Sequence, residues 1–80
     1  MRHSVEAAEW SDEREERYQR EANAIACRAQ VRIIQRDLRT FIVDGNIEDL
    51  LIATLRPKRL WYETWLCLRE RFPEAARQSR

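Results

Sequence analysis

The side chains that most often carry out chemistry are few in this chain and stand far apart. Its only histidine is His3, and its two cysteines, Cys27 and Cys67, are separated by forty positions. A nucleophile needs a base beside it, and a zinc site needs about four clustered ligands. The single glycine, Gly45, does not make a glycine-rich phosphate loop. We therefore expect a protein that is not an enzyme and that holds no metal and no cofactor.

The cysteines and the hydropathy pattern bear on the compartment. Two isolated cysteines are typical of buried free thiols in a reducing cytoplasm, with a disulfide, within or between chains, as the alternative. No apolar run is longer than the four residues 50–53, far short of the roughly 20 residues that cross a bilayer. We expect a cytoplasmic protein with no membrane partner.

Four arginines are spaced as they would be on one face of a helix. Positions i, i+4, i+8 and i+11 fall within an arc of about 100°. Such a stripe could follow the phosphates of a nucleic acid, and a solvated or salt-bridged face is the alternative interpretation. The candidate nucleic-acid-binding residues are Arg28, Arg32, Arg36 and Arg39.

Nearer the N-terminus the same helical arc carries carboxylates. A row of carboxylates on a rigid helix offers a phosphate-like surface to a basic groove, although such a face often serves only solubility. The candidate partner-binding residues are Glu9, Asp12, Glu13 and Glu16.

The overall composition limits the classes of function. Lys and Arg number 15 against 14 Asp and Glu, a net charge of +1. This balance argues against a purely electrostatic nucleic-acid binder. A hydrophobic content of 44 % is too high for intrinsic disorder.

The few helix-breaking residues divide the chain into elements. The only glycine is Gly45 and the only prolines are Pro57 and Pro73, so nothing before residue 45 must interrupt a helix. Ser4 or Ser11 can cap the start of the first helix. The fold class we expect is all-α, a single domain over residues 1–80 in which one long helix is packed by two shorter ones. The expected helices cover about 5–43, 47–55 and 58–71, and residues 73–80 form a tail.

The third helix carries its large side chains on one face. Trp61, Trp65, Leu68 and Phe72 follow at i, i+4, i+7 and i+11, a spacing that predicts a buried stripe. The alternative is that Tyr62 or Trp65 stays partly exposed and anchors a partner protein.

A long helix covered by so little remaining chain favours self-association. Residues 1–21 carry four arginines and seven carboxylates, and residues 22–43 carry four arginines and one carboxylate. These counts give −3 and +3, so two antiparallel copies of the helix would complement each other. We expect a homodimer, with pairing inside one chain as the alternative. The expected dimer interface consists of Ala22, Ile25, Ala26, Ala29 and Ile33.

In size, compactness and lack of a catalytic motif the chain resembles small phage-encoded accessory proteins, among them anti-CRISPR proteins. That resemblance implies a non-catalytic inhibitor that binds a CRISPR effector complex and blocks its DNA binding. The expected partners are therefore a second copy and a larger protein or nucleoprotein complex. The alternative is a small dimeric DNA-binding transcriptional regulator that uses the arginine stripe or a helix-turn-helix formed by the second and third helices.

Overall fold

Residues 32–53 form a three-stranded antiparallel sheet, so the expectation of an all-α protein is wrong. The computed structural model describes residues 10–78 and shows an α+β fold. One longer helix precedes the sheet, and a second longer helix follows it. The elements are α1 (Asp12–Ala29), β1 (Arg32–Arg36), β2 (Arg39–Asp44), β3 (Ile47–Ala53), a 3-10 helix (Pro57–Arg59), α2 (Leu60–Arg71) and α3 (Pro73–Arg77).

The first helix is much shorter than the 5–43 expected. It begins after Ser11, whose side-chain oxygen accepts a hydrogen bond of 3.2 Å from the Arg14 amide. It ends at Ala29, where Gln30 takes the left-handed conformation with φ 63°. The left-handed residue that ends the first helix is therefore Gln30 and not, as expected, Gly45. Residues 5–9 of the predicted helix lie outside the described residues.

The second and third predicted helices have different outcomes. Residues 47–53 form β3 and not a helix, which also removes the helix-turn-helix interpretation. The third prediction, 58–71, coincides with the 3-10 helix and α2. The expected tail contains the short helix α3.

Two tight turns connect the strands. The first consists of Asp37 and Leu38, both with positive φ (54° and 57°), the conformation that a two-residue type I′ hairpin requires. The second places Gly45 at φ 66°. Gly45 is thus a hairpin residue, and no helix ends there.

The residue types explain why residues 32–44 form strands and do not continue the first helix. Ile33, Ile34 and Val43 are β-branched, and such side chains pack well on a pleated surface. Along β2 the side chains alternate between the two faces of the sheet, so that Thr40 and Ile42 lie on one face and Phe41 on the other.

The core lies between the two longer helices and one face of the sheet. Trp61, Trp65 and Phe72 pack against its edge, as do Ile33 and Leu51. The buried members are Ala22, Ile25, Ala26, Val31, Ile42, Leu68 and Ala75. The small alanines of α1 allow the helix to approach its neighbours closely.

A polar network inside this core ties the sheet to α2. The hydroxyls of Thr40 and Thr64, both at 0 % exposure, are 2.9 Å apart. Thr64 donates its only hydroxyl proton to the Leu60 carbonyl at 2.7 Å, so Thr40 donates to Thr64. Gln35 Nε2 donates to both oxygens, at 3.1 and 3.3 Å. Each buried hydroxyl therefore has an acceptor for its proton.

The two threonines should be energetically coupled. In Thr64→Val the buried Thr40 hydroxyl loses its acceptor, so we expect a loss of about 1–3 kcal/mol in the free energy of unfolding. Thr40→Val leaves Thr64 bonded to Leu60 and should cost less. In the double variant no hydroxyl is stranded, but Gln35 Nε2 loses both of its acceptors, so the loss should differ from the sum of the single losses. Urea unfolding measures all three, and losses that add to within about 0.5 kcal/mol would show that the network is not coupled.

Candidate interaction surface

The two faces of the sheet differ in what covers them. Ile33 and Ile42 on one face pack into the helical core. Asp49 on the same face forms an ion pair with Arg71 of α2, with 3.0 Å between the charged atoms. No residue of the opposite face belongs to the core cluster that the sheet forms with the helices among residues 10–78. We call it the outer sheet face. It comprises Arg32, Ile34, Arg36, Arg39, Phe41, Val43, Glu48 and Leu50.

Strand register brings these residues together. Ile34 lies directly opposite Phe41 in the β1–β2 pairing, and Phe41 lies opposite Leu50 in the β2–β3 pairing. Ile34 and Phe41 are half-buried, and Leu50 is 54 % exposed. Three apolar side chains from three strands therefore form a row across the sheet. Val43, beside this row, is buried but does not belong to the helical core.

Arg36 contacts Phe41, the central residue of this row, and Glu48 beside it. Its guanidinium carbon lies 4.2 Å from the centre of the Phe41 ring, a cation–π distance. One of its nitrogens is 2.8 Å from Glu48 Oε1. The hydrogen bond from Arg36 lowers the pKa of Glu48 from its ordinary value. Arg36 thus holds an aromatic ring and a carboxylate in a fixed arrangement.

Three of the four candidate nucleic-acid-binding arginines meet on the outer sheet face. Arg32 and Arg36 are four residues apart on one strand, and the hairpin places Arg39 directly opposite Arg36. Arg28 is elsewhere, because its Nε donates at 2.8 Å to the Ala75 carbonyl and ties α1 to α3.

The candidate partner-binding acids lie at the start of α1, far along the chain from the sheet. Asp12, Glu13 and Glu16 are exposed, whereas Glu9 lies outside the described residues. Their role in binding a partner stays a prediction.

Glu15, which was not among those candidates, has a structural role. Its two carboxylate oxygens accept hydrogen bonds from the amides of Trp61 at 2.7 Å and of Tyr62 at 3.2 Å. These amides belong to the first turn of α2, where helix geometry provides no partner. Glu15 therefore caps α2 from another helix.

The residues of the expected dimer interface lie in the core of a single chain. Ala22, Ile25 and Ala26 are at most 3 % exposed, and Ala29 and Ile33 pack against them. They face α2, α3 and the sheet of their own chain. Self-association stays a prediction, and a second copy would have to contact other residues.

Aromatic side chains join α1 to α2 on the helical side of the molecule. The Tyr18 ring centre lies 4.9 Å from that of Tyr62 and 4.8 Å from that of Trp65. Trp10 extends the cluster, with the guanidiniums of Arg14 and Arg59 at 4.4 and 4.6 Å from its ring centre. These rings mainly contact one another, so the cluster stabilises helix packing.

The described residues offer little for catalysis or metal binding. Among residues 10–78 no three His, Cys, Asp or Glu side chains are grouped as metal ligands would be. The cysteines are free, and Cys27 is exposed where burial was expected. Burial raises the pKa of the Cys67 thiol, as do Glu70 and Glu63, which favours the unreactive protonated form. No helix in this part of the chain combines the length and apolar character needed to cross a membrane.

Sequence reasoning missed the apolar row of the outer sheet face. Phe41 and Leu50 were assigned to helices, and Glu48 to the first turn of one. The concentration of β-branched and aromatic residues was the available signal: Val31, Ile33, Ile34, Thr40, Phe41, Ile42 and Val43. Comparison of the chain with protein-family models, curated proteins and solved structures finds no match.

The cap supplied by Glu15 should be measurable against its neighbour. We expect Glu15→Gln to lower the free energy of unfolding by about 0.5–2 kcal/mol, because one amide loses a charged acceptor. Glu16→Gln removes the same charge from an exposed position and should change it by less than about 0.5 kcal/mol. Equal losses in the two variants, measured by urea unfolding, would contradict the capping role.

Proposed function

We propose that the protein is a non-catalytic binding protein that attaches to a larger protein through its outer sheet face. The observation that carries this proposal is the row of Ile34, Phe41 and Leu50, which lies outside the core formed with the described helices and ends in the exposed Leu50. An exposed apolar patch with a polar rim is typical of interaction sites.

The residue types at this face support a protein partner. Aromatic side chains and arginines are enriched where protein interfaces have their largest binding energies. Phe41 and Arg36 are stacked on one another before any partner arrives. Because both lie on paired strands, little conformational entropy is lost when a partner binds.

A nucleic acid is the second candidate, favoured by the meeting of Arg32, Arg36 and Arg39 on one face of an antiparallel sheet. Sheets of this kind can enter a DNA groove. Two carboxylates argue against it: Glu48 lies on the face itself and already pairs with Arg36, and Asp37 lies in the turn at its end. A phosphate backbone would meet both.

A more specific form of this proposal follows from the resemblance to anti-CRISPR proteins: the larger protein is a CRISPR effector complex, and binding inhibits it. A protein of this size that occupies a docking surface can act by occlusion alone. For a CRISPR effector complex, the test is whether the purified protein reduces the binding of target DNA. Unchanged DNA binding at saturating protein would exclude that effector complex as the target.

Two leucines allow a matched test of the binding face. Leu50 and Leu66 are both exposed, at 54 % and 41 %, but Leu66 lies on α2. We expect Leu50→Gln to weaken capture of the cellular partner at least tenfold, because it removes part of the apolar row. Leu66→Gln should leave capture unchanged, and far-UV circular dichroism should show that both variants are folded.

Three results would contradict binding of a protein partner through the outer sheet face. Equal capture by Leu50→Gln and the unmodified protein would contradict the outer sheet face as the binding site. Loss of capture in a variant with Glu13→Lys and Glu16→Lys would assign binding to the acids of α1. Tight binding to random duplex DNA with a steep salt dependence would favour the nucleic-acid alternative.

A further inference from the structure

The charges around the apolar row specify what kind of protein surface would fit it. On the assumption that the proposed function holds, we infer that the partner presents an extended acidic segment with an apolar side chain between its carboxylates. The inference rests on two arginines of the outer sheet face, Arg32 and Arg39.

Arg32 and Arg39 differ from Arg36 in their pairing. Arg36 is bound to Glu48 at 2.8 Å, so its charge is already compensated. Among residues 10–78 no carboxylate oxygen lies within ion-pair distance of Arg32 or Arg39, and both are exposed. With respect to the described residues, two guanidiniums are therefore available, and their planar geometry suits carboxylates.

The positions of these arginines set the spacing of the acids. Arg39 lies opposite Arg36, which is four residues from Arg32 along β1. Four residues of strand span about 13 Å, with Ile34 midway and Phe41 beside it. An extended segment has the same rise, so side chains at i, i+2 and i+4 point to one face. Acids at i and i+4 would reach the two arginines, and an apolar residue at i+2 would meet the row.

A second copy of this chain fits the face poorly. Three strands about 4.8 Å apart and about six residues long give a face of about 300 Å². Two such faces would bury about 600 Å², half of the roughly 1,200 Å² at the lower end for a specific interface. Each face also carries three arginines and only Glu48, so two copies would repel. A larger partner can contact the rim as well.

The carboxylates at the outer sheet face favour a peptide segment over a nucleic acid. Asp37 lies in the turn at one end of the face, and Glu48 lies on the face itself. A continuous phosphate backbone would pass these carboxylates. A peptide segment places its acids only at the two arginines.

Selection from a phage-displayed library of random 12-residue peptides tests the inference with a defined probe. We expect the selected peptides to carry Asp or Glu at i and i+4 around an apolar residue at i+2. Arg32→Glu or Arg39→Glu should weaken their binding at least tenfold. The variants Arg32→Gln and Arg39→Gln disturb the sheet less, because they remove the positive charge without adding a negative one. They should weaken peptide binding at least threefold.

A matched control separates this effect from a general change in charge. Arg20 is an exposed arginine of α1, and Arg20→Glu should leave peptide binding unchanged. Leu50→Gln should weaken it, which places the peptides on the outer sheet face.

The remaining outcomes distinguish the inference from the proposed function. Peptides that need Leu50 but show no preference for acids, or that tolerate all four arginine substitutions, overturn the acidic segment and leave the binding face intact. Selection of no peptide that depends on Leu50 overturns both. Displacement of the peptides by duplex DNA at physiological salt also overturns both, in favour of a nucleic acid.

Discussion

The hydrogen bond between the buried hydroxyls of Thr40 and Thr64 fixes which face of the sheet lies against the helices. Side chains alternate along a strand, so a slip of one residue in the pairing would exchange the two faces. In the exchanged register Phe41 would enter the core, and the Thr40 hydroxyl would lose its partner on α2. The network with Gln35 makes that alternative costly, because buried polar groups without partners are strongly disfavoured. The position of every residue on the outer sheet face depends on this constraint.

The same constraint explains why an 80-residue chain leaves apolar side chains uncovered. The core is built from small residues of α1 and large residues of α2, and it needs only one face of the sheet. Glu15 ties the first turn of α2 to α1 by accepting hydrogen bonds from two of its amides. With both helices committed to one side, Phe41 and Leu50 face away from them. Arg36 covers part of the Phe41 ring but leaves Leu50 exposed.

Only part of this arrangement could be predicted from the sequence. The spacing of the large side chains from Trp61 to Phe72 predicted α2 correctly. Steps of four, three and four residues stay on one face of a helix, whereas a step of three changes face in a strand. The arginine spacing misled, since a step of four residues places side chains on one face of a helix and equally on one face of a strand. Gly45 misled for a similar reason, because positive φ serves a helix end and a hairpin turn alike. The turn at Asp37 and Leu38 contains neither glycine nor proline, so nothing marked it as a break.

A docking surface on the outer sheet face must be open to solvent in the free protein. Paramagnetic broadening of NMR signals by a soluble gadolinium chelate measures this directly. We expect the Leu50 methyl signals to be broadened as strongly as those of exposed Leu66, whereas those of Ile42 and Leu68 should be protected. Leu50 signals as protected as those of Ile42 would show that the face is already covered, and would contradict its assignment as a docking surface.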